Sequence, residues 1–270
     1  MQYGAMNFPV RPVLEELEQI ASLGFDYLEL SMDPPQAHHS TILQQKSILL
    51  ERLHDFGMQI VCHMPTFLCL ADLTESIRIA SIQETLASLD VAAELEPLKV
   101  VLHPGYVTGL GIFVFDKAKE YATESLTDIL EHAEKLGLTV CLENMFPRAN
   151  SLTEPNDFAP VFERFPGLKL TLDTGHANIG TTGGKRIREF LSRFPDRIEH
   201  IHASDNFGKE DNHLPIGTGT IDFSRFTRTI KEMGYDKTVT FEVFSRDKDY
   251  LKASREKFKT MLAQSVDTNV

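Results

Sequence analysis

Residues 135–143 read Lys-Leu-Gly-Leu-Thr-Val-Cys-Leu-Glu. A charged amphipathic stretch stops at Gly137, a short apolar run follows, and the run closes on a carboxylate. Glycine just past a helix takes the left-handed cap that a Cβ resists, and a short apolar, β-branched run suits a buried strand. The same phrase returns as Ser22-Leu-Gly-Phe-Asp-Tyr27, Asp55-Phe-Gly-Met-Gln-Ile60 and Glu232-Met-Gly-Tyr-Asp-Lys237. Strands are predicted at 2–4, 27–30, 59–63, 99–103, 139–143, 168–173, 198–202 and 238–243. Between them, apolar spacing of three and four, as in Leu14, Leu17, Ile20 and Ala21, predicts helices. These fall at 13–22, 42–56, 75–94, 115–136, 156–165, 185–194, 223–233 and 247–264. Eight strand–helix units predict an α/β protein with a closed (β/α)8 TIM barrel rather than an open doubly wound sheet.

The chain has 270 residues, near the length of about 250 typical of such a barrel. No linker or compositional break interrupts it, so one domain spanning 1–270 is expected, with Ser265–Val270 as a frayed tail. Hydrophobic residues at 42% supply a large core. A net charge of -12 disfavours passive binding to nucleic acid or anionic membrane, unless a local patch or bound cations reverse the sign. Cys62, Cys69 and Cys141 are odd in number and form no Cys-x-x-Cys pair, so neither a disulfide framework nor a thiolate zinc site is expected. Cys62 and Cys141 read as buried small hydrophobes. With no signal peptide pattern and no apolar run near the roughly 18 residues that cross a bilayer, a soluble cytoplasmic protein is expected.

The chemistry lies at the strand ends. His63 ends Ile-Val-Cys-His, His103 ends Val-Val-Leu-His, Glu143 ends Val-Cys-Leu-Glu and Asp173 ends Leu-Thr-Leu-Asp. His202 ends His-Ile-His, and Glu242 sits in Thr-Phe-Glu-Val-Phe. A lone His in such a place is more often a hydrogen-bonded structural residue than a ligand, and a lone Glu or Asp is only somewhat more telling. Six in register at the end where barrels build active sites do not read that way, because buried carboxylates and imidazoles destabilise a core without cations. His176 follows in Thr-Gly-His-Ala-Asn, in a loop. Asp211 and His213 lie two apart in a second loop, where Gly217 and Gly219 suit a tight turn close to a ligand. Mixed imidazole and carboxylate donors favour Zn²⁺, Mn²⁺, Co²⁺ or Fe²⁺ over Ca²⁺. The ligand count exceeds the needs of one tetrahedral ion, so two or three ions are in view. Glu143 could bridge two, with His63 and His103 on one and Asp173 and His202 on another. His200, deeper on the same strand face, reads as structural. His38, His39, His54 and His132 carry no clear signal. Lys209 reads as a solvated loop lysine that could also reach a bound anionic group.

The combination of His63-Met-Pro, His103-Pro-Gly, Leu142-Glu143-Asn144, Leu172-Asp173-Thr-Gly-His176, His202-Ala-Ser-Asp205, Asp211-Asn-His213-Leu-Pro-Ile-Gly-Thr-Gly219 and Glu242 resembles the xylose isomerase-like barrel superfamily along the whole chain. That group includes sugar and sugar-phosphate isomerases and epimerases and endonuclease IV. The epimerase pattern implies one divalent metal ion, Zn²⁺ or Mn²⁺, on Glu143, Asp173, His202 and Glu242. It further implies Glu143 and Glu242 as acid and base on opposite faces of the sugar carbon, and His176, with Asn144 and Lys209, at the substrate. The endonuclease IV pattern implies three zinc ions and adds His63, His103, His176, Asp211 and His213. It departs at Ser31–Ser40, which has no Arg or Lys where that family carries a DNA-groove segment. The first expectation is therefore a metal-dependent isomerase or epimerase acting on a small sugar or sugar phosphate. DNA is the partner only under the alternative zinc phosphodiesterase reading, and a non-catalytic metal-binding barrel is the third.

Overall fold

The computed structural model describes residues 1–181 and 183–264. Eight parallel strands pair in chain order: β1 (Gln2–Met6), β2 (Tyr27–Ser31), β3 (Gln59–His63), β4 (Val100–Leu102), β5 (Val140–Glu143), β6 (Lys169–Asp173), β7 (Ile198–Ala203) and β8 (Thr238–Phe241). β8 pairs back onto β1, so the sheet closes into the (β/α)8 barrel that the alternation predicts. The helices are α1 (Val13–Ser22), α2 (His39–Phe56), α3 (Glu75–Ala93), α4 (Phe115–Lys135), α5 (Pro155–Arg164), α6 (Thr174–Asn178), α7 (Lys185–Arg193), α8 (Phe223–Glu232) and α9 (Asp249–Gln264). Gly57 caps α2 at φ 63°, and Gly24, Gly137 and Gly234 take similar positive angles at the other helix ends. The tail expected at Ser265–Val270 lies outside the described residues. Among the described residues no helix is long and apolar enough to cross a membrane.

Two local features depart from the sequence reading. The stretch after Asp173 is not a loop but the single helical turn α6. The Asp173 carboxylate accepts from the His176 amide at 2.6 Å and starts it. α2 begins three residues before the predicted start, with His38 as its N-cap.

Strand residues alternate between two environments, as period-2 geometry requires. Leu28, Leu30, Ile60, Cys62, Leu142 and Leu172 are buried in the large apolar layer beneath the helices. Burying each such side chain contributes about 1.5–3 kcal/mol. Alternate positions face the barrel interior. Tyr27, Val61 and Val101 form a small apolar floor there, and the polar residues sit on the same inward face toward the carboxyl ends. Cys62 and Cys141 are buried free thiols, as expected, and Cys69 is half-buried.

Tyr27 crosses the interior from β2 and bonds Thr240 of β8 through its hydroxyl at 2.8 Å. β1 runs between those strands, and Gly4 is what lets the ring pass: a Cβ there would lie 2.1 Å from the Tyr27 ring. Gly4→Ala should therefore destabilise the barrel by about 1–3 kcal/mol, the cost of overpacking a tight core. Urea denaturation would show it, and the same substitution in a Tyr27→Ala background should cost less, because the clash is then gone.

Candidate active site

Six inward positions at the carboxyl ends of β3 to β8 bring His63, His103, Glu143, Asp173, His202 and Glu242 to one rim, all of them buried. Glu143 is the hub. Its Oε2 lies 3.4 Å from His63 Nε2, 3.2 Å from His103 Nε2 and 3.3 Å from His202 Nδ1. Its Oε1 lies 3.1 Å from His176 Nδ1. His202 Nδ1 also faces Glu242 Oε1 at 3.2 Å and Asp173 Oδ2 at 3.8 Å. Asp211 Oδ2 stands 3.2 Å from His176 Nε2 and 3.0 Å from His213 Nε2. The residues singled out as metal ligands thus converge. His63, His103 and Glu143 form one group of candidate ligands, and Glu143, Asp173 and His202 form another, with Glu143 common to both.

A buried supporting layer holds these side chains. Glu29 of β2 spans two imidazoles, with Oε1 at 2.9 Å from His202 Nε2 and Oε2 at 2.9 Å from His200 Nε2. His200 Nδ1 in turn meets the Thr238 hydroxyl at 2.7 Å. A carboxylate on the far nitrogen fixes the His202 ring so that Nδ1 faces the cluster. Asn144 is committed to the backbone of Asp173. It accepts from the Asp173 amide at 2.8 Å and donates to the Asp173 carbonyl at 3.1 Å. The Asn144 carbonyl meets His176 Nδ1 at 2.9 Å.

The loop carrying Asp211 and His213 is folded around Asp205, whose carboxylate accepts from the amides of Gly217 and Gly219 at 2.9 Å each and of Ile221 at 3.1 Å. Gly217 and Gly219 therefore approach Asp205 rather than a ligand, and a Cβ on Gly219 would lie 2.3 Å from the Asn206 carbonyl oxygen. His213 is held at φ 46°, in the left-handed region. Its Nδ1 lies 3.2 Å from the Glu242 carbonyl oxygen. Lys209 is exposed and does not line the chamber described below. Glu29 is not singled out by the sequence, and Asp205 enters there only as part of the His202-Ala-Ser-Asp205 motif. Glu29 has a signal only once β2 is placed, because it alternates with Tyr27 and Ser31 on the inward face.

The donor set fits a cation. Glu143 Oε2, Asp173 Oδ2, His202 Nδ1 and Asp211 Oδ1 are buried and make no hydrogen bond. Glu143, Asp173 and His202 offer one donor atom each within 4.8 Å of one another. Buried polar atoms that approach each other without bonding have the arrangement of ligands, not of a closed network. The electrostatics agree. Burial opposes ionisation of Glu143, but His202 and His103 outweigh it and hold its carboxyl well below the usual range. Burial pushes Asp173 up, against His176 and with the help of Glu143. Burial, with Asp173 adding to it against His202, pushes Glu242 up to about 7. Burial opposes charge on His202, but Glu242, Glu29 and Glu143 hold its pKa well above 6.5. A proton on His202 thus supplies the positive charge that a metal ion would otherwise bring.

The cluster forms the base of a chamber of about 800 Å³ whose walls include Phe8, Phe67, Tyr106, Phe146 and Phe244. Among the described residues, no Lys or Arg lines it.

Residues 17–263 match the family model described as xylose isomerase-like TIM barrel. An uncharacterized protein of Methanocaldococcus jannaschii is 30% identical over 95% of this chain and 92% of its own length. A probable endonuclease 4 of Aquifex aeolicus is 25% identical over 85% of this chain and 86% of its own. The crystal structure of a D-tagatose 3-epimerase-like protein superposes with a TM-score of 0.88 at 28% identity, over 100% of both chains.

His200 provides a test of this layer by pH. Burial lowers its pKa from 6.5 to about 4 in the folded protein. As pH falls below 6.5, the unfolded chain takes up the proton first, so stability is lost progressively toward pH 4 and is fully present above 6.5. His200→Gln should flatten that part of the stability–pH curve, measured by denaturant unfolding across the window.

Proposed function

This chain belongs to the xylose isomerase-like TIM barrel family, and from that membership we propose that it is a divalent-metal-dependent sugar isomerase or epimerase. The observation that carries the reading is the pair Glu143 and Glu242. They reach from β5 and just beyond β8 to flank one imidazole, with His202 Nδ1 at 3.3 Å from Glu143 and 3.2 Å from Glu242. Two carboxyl groups that flank one ligand suit a base and an acid acting on opposite faces of a substrate carbon.

Glu143, Asp173, His202 and Glu242 would hold the ion. A divalent ion there would polarise adjacent carbonyl and hydroxyl oxygens and lower the pKa of the proton on the hydroxyl-bearing carbon beside the carbonyl. Glu143 accepts that proton from one face of the carbon, and Glu242 returns a proton to the other face. The net change is inversion at that carbon with no atoms gained or lost; returning the proton to the neighbouring carbon instead would give isomerisation. His176, oriented by the Asn144 carbonyl and by Asp211, is placed to hold a sugar oxygen. The aromatic walls cover the apolar faces of a sugar and limit water at the reacting carbon. Similarity to the D-tagatose 3-epimerase-like structure supports the same class.

A second reading, a zinc phosphodiesterase of the endonuclease IV type, has one observation in its favour. His63, His103, His176, Asp211 and His213 join the same cluster, which is more than one ion requires. Elemental analysis and activity separate the two. The isomerase reading expects exchange of the α-proton of a free ketose with solvent deuterium, followed by NMR. Glu242→Gln should lower the rate by about 10²–10⁴-fold, the usual contribution of a general acid. Three tightly held zinc ions, together with cleavage of an abasic-site oligonucleotide and inertness toward every ketose tried, would overturn it. For Asp173→Asn the expected result is loss of the metal held in common with His202, read by elemental analysis after dialysis with the fold intact by circular dichroism.

A further inference from the structure

His38, His39 and Glu84 lie outside the cluster described above, and nothing in the proposed reaction uses them. We propose that they form a separate transition-metal site of the zinc class on the chamber rim, with its remaining coordination position open toward the chamber.

Neighbouring residues within a helix point in different directions. Here the backbone changes state between them. His38 is the extended N-cap of α2, at φ -56° and ψ 143°, and His39 is the first helical residue. That break lets consecutive imidazoles turn to the same side, with ring centroids 4.1 Å apart and planes at 38°. Glu84 comes from α3, packed beside α2. Its Oε1 lies 2.7 Å from His38 Nε2 and 3.3 Å from His39 Nε2. The three residues offer donor atoms within 4.8 Å of one another. Among the described residues, the ion pairs of Glu84 are with these two histidines.

Two imidazoles and one carboxylate are a zinc donor set that leaves a fourth position for water or substrate. His38 also has an outer partner: its Nδ1 meets the Ser40 hydroxyl at 2.7 Å. His38 Nδ1 also accepts the N-cap bond from the Ser40 amide at 3.3 Å, so binding an ion at Nε2 would shift the proton to Nδ1, where the Ser40 hydroxyl can accept it in place of that long cap bond. All three side chains are partly buried, with relative exposures of 32%, 20% and 32%. His38 and Glu84 line the chamber, so the open position faces the same space as the central cluster. In the metal-free state the same atoms meet across the α2–α3 seam as imidazole–carboxylate contacts, and the ion would sit among them.

The test is a difference in stoichiometry, independent of the reaction proposed above. Full-length wild type and a His38→Asn/His39→Asn variant are dialysed against equal micromolar free Zn²⁺ and analysed for bound metal. Wild type should retain one more equivalent per chain. After Co²⁺ replacement, the difference spectrum should carry the visible absorption of a His₂-carboxylate site. Glu84→Gln leaves the α2 cap untouched and should remove the same equivalent, or weaken it by at least about the 10–100-fold seen when outer partners of a ligand are lost. This second variant reads the site even if the double variant fails to fold. Equal metal content in wild type and Glu84→Gln, with no cobalt difference spectrum, would overturn the proposal whatever the central site holds.

Discussion

Glu143 meets four imidazoles, with nitrogens of His63, His103, His176 and His202 between 3.1 and 3.4 Å from its two oxygens. A carboxylate buried this deeply is costly unless positive charge or hydrogen bonds surround it. That single requirement orders the rim. It draws ligands from β3, the segments after β4 and β6, and β7 around β5, and it leaves the carboxyls of Asp173 and Glu242 short of positive charge. A cation satisfies all of them together.

The floor beneath the cluster is as specific as the cluster. Glu29 and His200 set the ring of His202, Asn144 pins the end of β6, and Asp205 folds the long loop that delivers Asp211 and His213. Each is buried and bonded, and none faces the chamber as a free donor. The fold thus separates residues that present donor atoms from residues that hold them in place, a division expected where ligand geometry must be kept to tenths of an ångström.

Above the cluster the chamber changes character. Aromatic rings form its walls, while the base is acidic and imidazole-rich. A polar, acidic base beneath aromatic walls suits a small polyhydroxy ligand held by metal and carboxylates at one edge. His38 and Glu84 add polar atoms to the wall where α2 and α3 meet.

Much of this was legible in the chain itself. The phrase of helix, glycine and strand, as in Lys135–Glu143, determines the barrel, because glycine caps and period-2 apolar runs act locally. The terminal His, Asp and Glu of successive strands announce the rim, because closing a parallel barrel brings all strand ends of one kind together. Tertiary structure decided what depends on neighbours far apart in sequence. Glu29 reads locally as one more strand residue, and only closure of the barrel sets it between His200 and His202. Asn144 reads as a substrate contact next to Glu143, yet packing turns it to the Asp173 backbone. His38 and His39 carry no signal until the start of α2 and the face of α3 are in place. Local rules fix which backbone a segment adopts; the partner of a buried charge is chosen by whichever distant side chain the closed fold brings within hydrogen-bond reach.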